Sequence, residues 1–121
     1  MLTNKCVLIY DDDPEILFLC RAILKNSYRV ETLERCDNVI QDVESLQPDI
    51  IFMDLWIADI GGAKATALIK QNISTANIPI ILFSANADIK EITKNTNADG
   101  FLAKPFDISL LKETIMKYTK S

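Results

Sequence analysis

The chain has 121 residues, enough for one domain with a single hydrophobic core and too few for a second domain of ordinary size. Hydrophobic residues make up 49% of the sequence and charged residues 25%, as in an ordinary globular protein. The formal net charge of −4, without a basic stripe, argues against direct binding to nucleic acid.

Continuous apolar segments alternate with segments of helical periodicity along the whole chain. The predicted strands cover residues 6–10, 29–33, 50–53, 78–83 and 100–103. The predicted helices begin at or just after Asp13, Asp37, Gly62, Asp88 and Asp107. Because apolar strands separated by helices form parallel sheets covered on both faces, the pattern predicts one α/β domain over residues 1–121.

Several polar residues stand where helix caps are expected. Asp13, Asp37 and Asp107 are predicted to cap the first, second and fifth helices through their side chains. Asp88 and Glu91 have the spacing of a capping box at the start of the fourth helix.

The third and fourth helices differ in how many apolar anchors they carry. The third is predicted to turn Ala65, Leu68 and Ile69 toward the core, whereas the fourth has only Ile89 and Ile92. An element with so few anchors is either a mobile part of low stability or simply a short, peripheral helix.

The cysteines and the start of the chain indicate a reduced compartment. Cys6, Cys20 and Cys36 lack C-x-x-C spacing and the chain has no histidine, so neither a disulfide framework nor a zinc site is expected. Few residues precede the first predicted strand, and no apolar run approaches the roughly 20 residues of a membrane span. We therefore expect no signal peptide, no membrane contact and a cytoplasmic location.

Polar residues follow four of the five predicted strands. Asp11 and Asp12 follow the first strand, Asp54 the third, Ser84 the fourth and Lys104 the fifth. Right-handed crossovers bring the carboxyl ends of parallel strands to one edge of the sheet, where open α/β sheets bind their ligands. If the first, third, fourth and fifth strands are neighbours, three carboxylates, a hydroxyl and an ammonium group converge there.

This collection of groups has a specific chemistry. Three carboxylates within a few ångströms repel one another and require a cation, and ligands that are all hard oxygens select Mg²⁺ over Zn²⁺. A carboxylate beside the metal can attack a phosphoryl group and form an aspartyl phosphate. Lys104 and Ser84 would supply the positive charge and the donor that phosphoryl oxygens need.

Each residue also has an ordinary structural explanation when taken alone. Asp54 is compatible with a solvated loop carboxylate, and the run from Asp11 to Asp13 with a helix cap. Ser84 and Lys104 are compatible with solvated loop residues. The occurrence of all of them in chain order, each at a strand end, favours the functional interpretation.

The chain resembles the receiver domains of two-component response regulators from its first strand to its last helix. The matching segments are residues 7–15 (VLIYDDDPE), 49–55 (DIIFMDL), 79–85 (PIILFSA) and 98–106 (ADGFLAKPF). The resemblance implies a flavodoxin-like (βα)5 three-layer sandwich, with a doubly wound five-stranded parallel sheet in the order 2-1-3-4-5.

The resemblance also implies a role for each residue at the acidic edge. Asp54 would be the phosphoacceptor and a ligand of the Mg²⁺ cofactor. Asp12 would hold the metal directly and Asp11 through water. The backbone carbonyl of Trp56 would be a further ligand.

A second group of residues would respond to phosphorylation. Ser84 and Lys104 would contact the phosphoryl group and assist the reaction, and Phe101 would occupy the aromatic switch position. Movement of Ser84 and Phe101 would reshape the surface of the fourth helix, fifth strand and fifth helix. The peptide bond before Pro105 is expected to be cis.

The function implied by the resemblance is that of a phosphoacceptor in a phosphorelay. A histidine kinase or a histidine phosphotransfer protein would donate the phosphoryl group, and a downstream protein partner would bind the switched surface. Self-catalysed phosphoryl uptake and autodephosphorylation would be its only catalysis. A monomer or a phosphorylation-dependent dimer is expected.

Two other hypotheses remain open. Asp11-x-Asp13 after a strand also resembles haloacid-dehalogenase-type phosphatases, but Glu15 stands where those enzymes have Thr or Val, and a second acid motif and a cap are missing. The other is a receiver-like protein-interaction module that is never phosphorylated.

The chain departs from the receiver pattern beside Asp54 and in the fifth strand. The loop after Asp54 reads Trp56-Ile57-Ala58, so the proline usual at the position of Ala58 is missing. We expect Trp56 to shield an acyl phosphate and slow its hydrolysis. Phe101 has no hydroxyl, so its outward state cannot be held by a tyrosine-type hydrogen bond.

Overall fold

The computed structural model describes residues 4–58 and 60–119. The expectation that there is no signal peptide concerns the first residues of the chain, which lie outside these ranges. The strands are β1 (Cys6–Tyr10), β2 (Arg29–Leu33), β3 (Ile50–Asp54), β4 (Ile80–Ser84) and β5 (Gly100–Ala103). The helices are α1 (Pro14–Leu24), α2 (Val39–Leu46), α3 (Gly62–Gln71), α4 (Ile89–Lys94) and α5 (Ile108–Thr119). The predicted alternation of strands and helices is confirmed.

All five strands form one parallel sheet in the order β2-β1-β3-β4-β5. Neighbouring strands end within one residue of the same level, since Tyr10 lies opposite Met53, one residue before the end of β3, and Ser84 lies opposite Ala103. The carboxyl ends therefore share one edge, and the predicted doubly wound, flavodoxin-like sandwich is confirmed.

The sheet separates two apolar cores because successive strand residues face opposite sides. One core joins alternate strand residues to the buried faces of α2, α3 and α4, and includes Leu8, Ile51, Leu82, Val43, Ile69 and Ile89. The other joins the intervening strand residues to α1 and α5, and includes Ile9, Phe52, Phe83, Cys20, Leu111 and Ile115. Cys6, Cys20 and Cys36 are all buried.

Two aspartates close the amino-terminal edge of the sheet in the same way. Asp49 accepts a hydrogen bond from the Cys6 backbone N–H at 2.7 Å and donates its own N–H to the Cys6 carbonyl at 2.8 Å. Asp99 and Ile80 repeat this exchange, with both distances 2.8 Å. Each aspartate carboxylate thus accepts a hydrogen bond from the first backbone N–H of the neighbouring strand. The regular hydrogen bonds of the sheet would leave this N–H without a partner.

The helix caps agree with the sequence in two of four cases. The Asp13 carboxylate accepts a hydrogen bond from the Glu15 N–H at 2.9 Å, and the Asp107 carboxylate accepts one from the Ser109 N–H at 2.9 Å.

The Lys104–Pro105 peptide bond is cis, as expected.

The two other predicted caps are wrong. Asn38, not Asp37, occupies the cap position of α2, and the Asp37 carboxylate lies 3.4 Å from the Arg35 guanidinium instead. Asp88 does occupy the cap position of α4, but its side chain makes no capping hydrogen bond. Its φ of −93° and ψ of 15° differ from the extended backbone that directs a cap side chain toward the helix amides.

The predicted inward position of Leu68 is also wrong, since 39% of this residue is exposed. The buried face of α3 is formed by Gly62, Ala65, Thr66 and Ile69, which follow the spacing of one helix face.

In the part of the chain that the structure describes, no helix is both long enough and apolar enough to cross a bilayer.

Candidate functional site

Three carboxylates meet at the carboxyl edge of the sheet. Asp11 follows β1 and is 1% exposed, and Asp54 ends β3 and is 6% exposed. Asp12 is exposed at the rim. One carboxylate oxygen from each of the three lies within 4.8 Å of the other two, so the predicted acidic cluster forms.

The start of α1 fixes the Asp11 side chain. One Asp11 carboxylate oxygen accepts a hydrogen bond from the Asp13 N–H at 2.9 Å, and the Asp11 N–H donates to the Leu33 carbonyl at 3.1 Å. The other Asp11 oxygen faces the Lys104 ammonium at 2.6 Å. Asp11 is therefore held by backbone and side-chain contacts at once.

Lys104 brings the only ammonium group that contacts the cluster among the described residues. Its Nζ lies 2.6 Å from Asp11 and 3.4 Å from Asp54, and 5.2 Å from the centre of the Phe83 ring. Its backbone N–H donates to the Ser84 carbonyl at 2.8 Å. Strand pairing and the aromatic ring thus direct the lysine side chain across the sheet edge toward the two buried carboxylates.

The electrostatics of the cluster are unbalanced in favour of negative charge. Burial raises the pKa of Asp54, the charge of Asp11 raises it further, and Lys104 opposes both effects. Burial would lower the pKa of Lys104, but the hydrogen bonds and charges of Asp11 and Asp54 outweigh it and raise that pKa. Because three carboxylates face one ammonium group, the cluster carries an excess of negative charge that a bound cation would reduce. Its ligands are all oxygen atoms, which suit Mg²⁺.

Ser84 ends β4 beside the cluster and is 1% exposed. Its Oγ accepts a hydrogen bond from the Asn86 N–H at 3.0 Å, which leaves the hydroxyl hydrogen able to donate. In the sheet register, Asp54 pairs with Phe83, the residue just before Ser84. The sheet therefore brings this hydroxyl to the same edge as Asp54 and Lys104.

Trp56 and Phe101 both reach solvent, with 67% and 41% of their surfaces exposed. The loop that carries Trp56 is anchored although it lacks the usual proline. Ile57 is 2% exposed, and the Cys36 thiol donates to the Ala58 carbonyl at 3.1 Å. The burial of Ile57 and the hydrogen bond to Ala58 thus hold the loop directly after the exposed Trp56.

Gly62 is a site residue whose importance the sequence analysis missed. A Cβ atom at this position would lie 2.3 Å from the Asp54 carbonyl oxygen and 2.8 Å from the Leu55 Cα. The Gly62 N–H also donates to the Leu55 carbonyl at 2.9 Å. The glycine pair at 61–62, at the start of α3, was the available signal.

We expect Gly62→Ala to lower the free energy of unfolding by about 3 kcal/mol, because the new methyl group must push the backbone of Asp54 and Leu55. Lys64→Ala is the control. Lys64 is exposed on the same helix, so its replacement should change the free energy of unfolding by no more than about 0.5 kcal/mol. Equal losses for the two variants in urea unfolding would contradict the close approach.

Comparison with known proteins agrees with this geometry. The response regulator receiver domain family matches residues 7–116 of the chain. The transcriptional regulator NtrC of Proteus hauseri is 29% identical over 119 residues, covering 93% of this chain and 25% of NtrC. The histidine-protein kinase BarA of Escherichia coli K12 is 32% identical over 117 residues, covering 93% of this chain and 12% of BarA.

A solved structure gives a close match over the whole fold. The receiver domain of the sensor histidine kinase PA1611 from Pseudomonas aeruginosa PAO1, with a magnesium ion coordinated in its active site cleft, superimposes with a TM-score of 0.88. It is 25% identical, and the match covers 98% of this chain and 100% of that domain. By contrast, the chain spans only about a quarter of NtrC and an eighth of BarA.

Proposed function

The chain belongs to the response regulator receiver domain family, and on this basis we propose that it accepts a phosphoryl group on Asp54 from a histidine kinase or a histidine phosphotransfer protein. The observation that carries the proposal is the position of Asp54. It is 6% exposed, lies 3.4 Å from the Lys104 ammonium, and shares the sheet edge with two other carboxylates. Burial of a carboxylate beside two others is costly, and an aspartate with only a structural role would gain nothing from it.

In the proposed reaction, an Asp54 carboxylate oxygen attacks the phosphorus of a phosphohistidine. A carboxyl oxygen–phosphorus bond forms, and the phosphorus–nitrogen bond breaks with its electron pair left on the imidazole. Lys104 balances charge on the phosphoryl oxygens, and Ser84 donates its hydroxyl hydrogen to one of them. Hydrolysis of the aspartyl phosphate then restores the carboxylate.

Asp11, Asp12 and Asp54, with the backbone carbonyl of Trp56, are the groups that would hold Mg²⁺. When bound, this ion supplies the positive charge that the carboxylate cluster lacks and that a phosphoryl group also requires. The excess of carboxylates over ammonium groups supports this assignment. The magnesium ion in the related PA1611 domain supports it as well.

We propose that the output is a change of surface rather than turnover of a substrate. Ser84 would move toward the phosphoryl group, and Phe101, which is 41% exposed, would turn inward. The surface of α4, β5 and α5 would change with it and alter the binding of a downstream partner, in a cytoplasmic monomer or a phosphorylation-dependent dimer. The short α4, with Ile89 as its one buried residue, is suited to such a movement.

Trp56 provides the experiment that tests this function. It is the only tryptophan in the chain and belongs to the loop that follows Asp54. Its fluorescence should change when Mg²⁺ is added and again when beryllofluoride, a phosphoryl mimic, is added. No second change in the wild-type chain would favour an interaction module that is never phosphorylated, and turnover of phosphate esters would favour a phosphatase.

Mg²⁺ affinity should fall as the pH falls, because the metal and a proton compete for Asp54. Burial and Asp11 raise the pKa of Asp54, so the competition begins above its ordinary value of 3.8. Below the raised pKa the affinity should fall by up to about tenfold per pH unit for this one proton. The Trp56 titration measures this slope, and the same slope in Asp54→Asn would contradict the assignment to Asp54.

The raised pKa of Asp54 also determines how the stability of the metal-free chain changes with pH. The folded chain binds a proton at Asp54 more tightly than the unfolded chain does. This contribution to the free energy of unfolding is therefore fully present below the unfolded pKa and is lost as the pH rises through the raised folded pKa.

Trp56→Met should shorten the lifetime of the aspartyl phosphate several-fold, because a smaller side chain admits water to the acyl phosphate more readily. The lifetime is measured as the loss of labelled phosphate after the donor is removed. Ile73→Met is the control, since Ile73 is 96% exposed in the loop between α3 and β4, at the opposite edge of the sheet. Equal lifetimes for Trp56→Met and the wild-type chain would contradict the shielding role.

A further inference from the structure

A groove of about 520 Å³ lies between α4 and α5 and is lined in part by the edge strand β5. Its charged and aromatic lining residues are Lys90, Lys94, Asp99, Phe101, Lys117 and Tyr118. We call it the lysine groove, after Lys90, Lys94 and Lys117. It lies away from the acidic cluster, and nothing in the phosphoryl chemistry requires its lysines.

The charge of the lysine groove is opposite to that of the chain. The whole chain has 13 basic and 17 acidic residues, yet the groove holds three lysines and a single aspartate. That aspartate, Asp99, is already paired with the Lys70 ammonium at 2.7 Å and with the Ile80 N–H at 2.8 Å. The groove therefore presents a local excess of positive charge on an acidic domain.

The three lysines are largely available to an outside partner. Among the described residues, Lys90 and Lys117 form no ion pair with a carboxylate, and Lys117 lies 5.2 Å above the Tyr118 ring. Lys94 lies 3.6 Å from Glu91, an exposed pair that contributes little to stability. A carboxylate from a partner would meet at least two ammonium groups without intramolecular competition.

Aromatic groups give the lysine groove an apolar part. Phe101 is 41% exposed there, and the Tyr118 hydroxyl donates to the Asp99 carbonyl at 3.1 Å, which fixes its ring. A Cβ atom on Gly100 would lie 2.7 Å from that hydroxyl, so the close packing of Tyr118 depends on the glycine. An apolar side chain of a partner can pack beside Phe101 on this surface.

We propose that the lysine groove binds an acidic segment of a partner protein, with an apolar side chain of that segment packed against Phe101. The inference rests on the proposed function in one respect, because the inward turn of Phe101 would couple this binding to phosphorylation. The pairing of carboxylates with the lysines follows from charge complementarity alone.

Two other occupants fit the lysine groove less well. A nucleic acid would gain few phosphate contacts from three lysines and would be repelled by the net charge of −4. A second copy in a two-fold symmetric contact would place the lysine grooves against each other and oppose like charges. An acidic protein segment avoids both penalties and uses the aromatic surface as well.

The test is an unbiased selection of peptides from a displayed random library on the unloaded, unphosphorylated chain, in which Phe101 is exposed. We expect the enriched peptides to be acidic and to contain an aromatic or large aliphatic residue. The affinity of one synthetic enriched peptide is then measured by fluorescence anisotropy. Lys90→Gln/Lys117→Gln should weaken it about tenfold, whereas the matched control Lys25→Gln/Lys112→Gln, with the same charge change outside the groove lining, should leave it within twofold.

Several results would overturn the inference: enriched peptides that are neutral or basic, no enrichment, or equal losses in the two double variants. Binding of a random single-stranded oligonucleotide, or a dimer in sedimentation, that is lost only in Lys90→Gln/Lys117→Gln would also overturn it in favour of those occupants. Failure of the proposed function looks different. In that case Trp56 does not respond to beryllofluoride, while acidic peptides still bind the unloaded chain and still require the two lysines.

Discussion

Asp54→Asn is expected to reduce phosphoryl uptake from a small acyl-phosphate donor by more than about 10³-fold, because an amide cannot serve as the nucleophile. The same change should raise the free energy of unfolding of the metal-free chain by about 1 kcal/mol. It removes a carboxylate that is buried and repelled by Asp11, both of which raise its pKa. Uptake is measured by intact mass, and stability by urea unfolding without Mg²⁺.

Asp13→Asn is the matched control for this prediction. Asp13 belongs to the acidic run that follows β1 at the same edge of the sheet, but it serves as the cap of α1, a role that asparagine also fills well. Uptake and stability of Asp13→Asn should stay close to those of the wild-type chain. Wild-type uptake in Asp54→Asn, or an equal loss in Asp13→Asn, would contradict the proposed phosphoacceptor.

Lys104→Met is expected to lower the free energy of unfolding of the metal-free chain by about 3 kcal/mol and phosphoryl uptake by roughly 10²-fold. Methionine keeps an apolar stem near the Phe83 ring but leaves Asp11 and Asp54 without the ammonium that lies 2.6 and 3.4 Å from them. Mg²⁺ would supply positive charge to the carboxylates and should restore part of the stability. It should restore little of the uptake, because the proposed role of the Lys104 ammonium is to balance charge on the phosphoryl oxygens.

Two further variants separate the roles of this lysine. Lys70→Met breaks a comparable pair, Lys70 with Asp99, at the opposite edge of the sheet, and should lower stability while leaving uptake unchanged. Asp54→Asn/Lys104→Met should be more stable than Lys104→Met alone, since one of the unpaired carboxylates is gone. A Lys104→Met chain with wild-type uptake would contradict a role for this ammonium in the reaction.

The fold follows closely from local patterns in the sequence. The apolar runs from Ile50 to Met53 and from Ile80 to Phe83 have no polar face and are short, which favours strands buried on both sides, as observed. With right-handed crossovers, their carboxyl ends must share one edge, and this brought Asp11 and Asp54 together correctly. The order of the strands came from the family resemblance, because periodicity does not encode it.

Details that depend on tertiary contact were not predictable from the sequence. Leu68 and Thr66 lie close together on α3, and only packing against the sheet decides that the threonine is buried and the leucine exposed. The cap position of α2 is Asn38 rather than Asp37, and the Asp37 carboxylate lies near Arg35, two residues before it. The anchoring of the loop by Cys36 joins residues distant in sequence and has no local signal.

In the candidate site, too, some features could be predicted from the sequence and others required the structure. Strand ends identified the charged groups, but the contact between Gly62 and the Asp54 backbone required coordinates. The positions of Trp56 and Phe101 also required them, since burial of an aromatic residue in a loop or an edge strand depends on what packs beside it. The roles proposed for these two residues remain predictions.

Location of the phosphoryl group by mass spectrometry is the most direct test that this chain is a phosphoacceptor. The chain is incubated with a small acyl-phosphate donor and Mg²⁺, the acyl phosphate is reduced with borohydride, and the reduced residue is located in a peptide digest. Modification at Asp54 alone, and only with Mg²⁺ present, is the predicted result. No modification, or modification at Ser84 or another carboxylate, would contradict it.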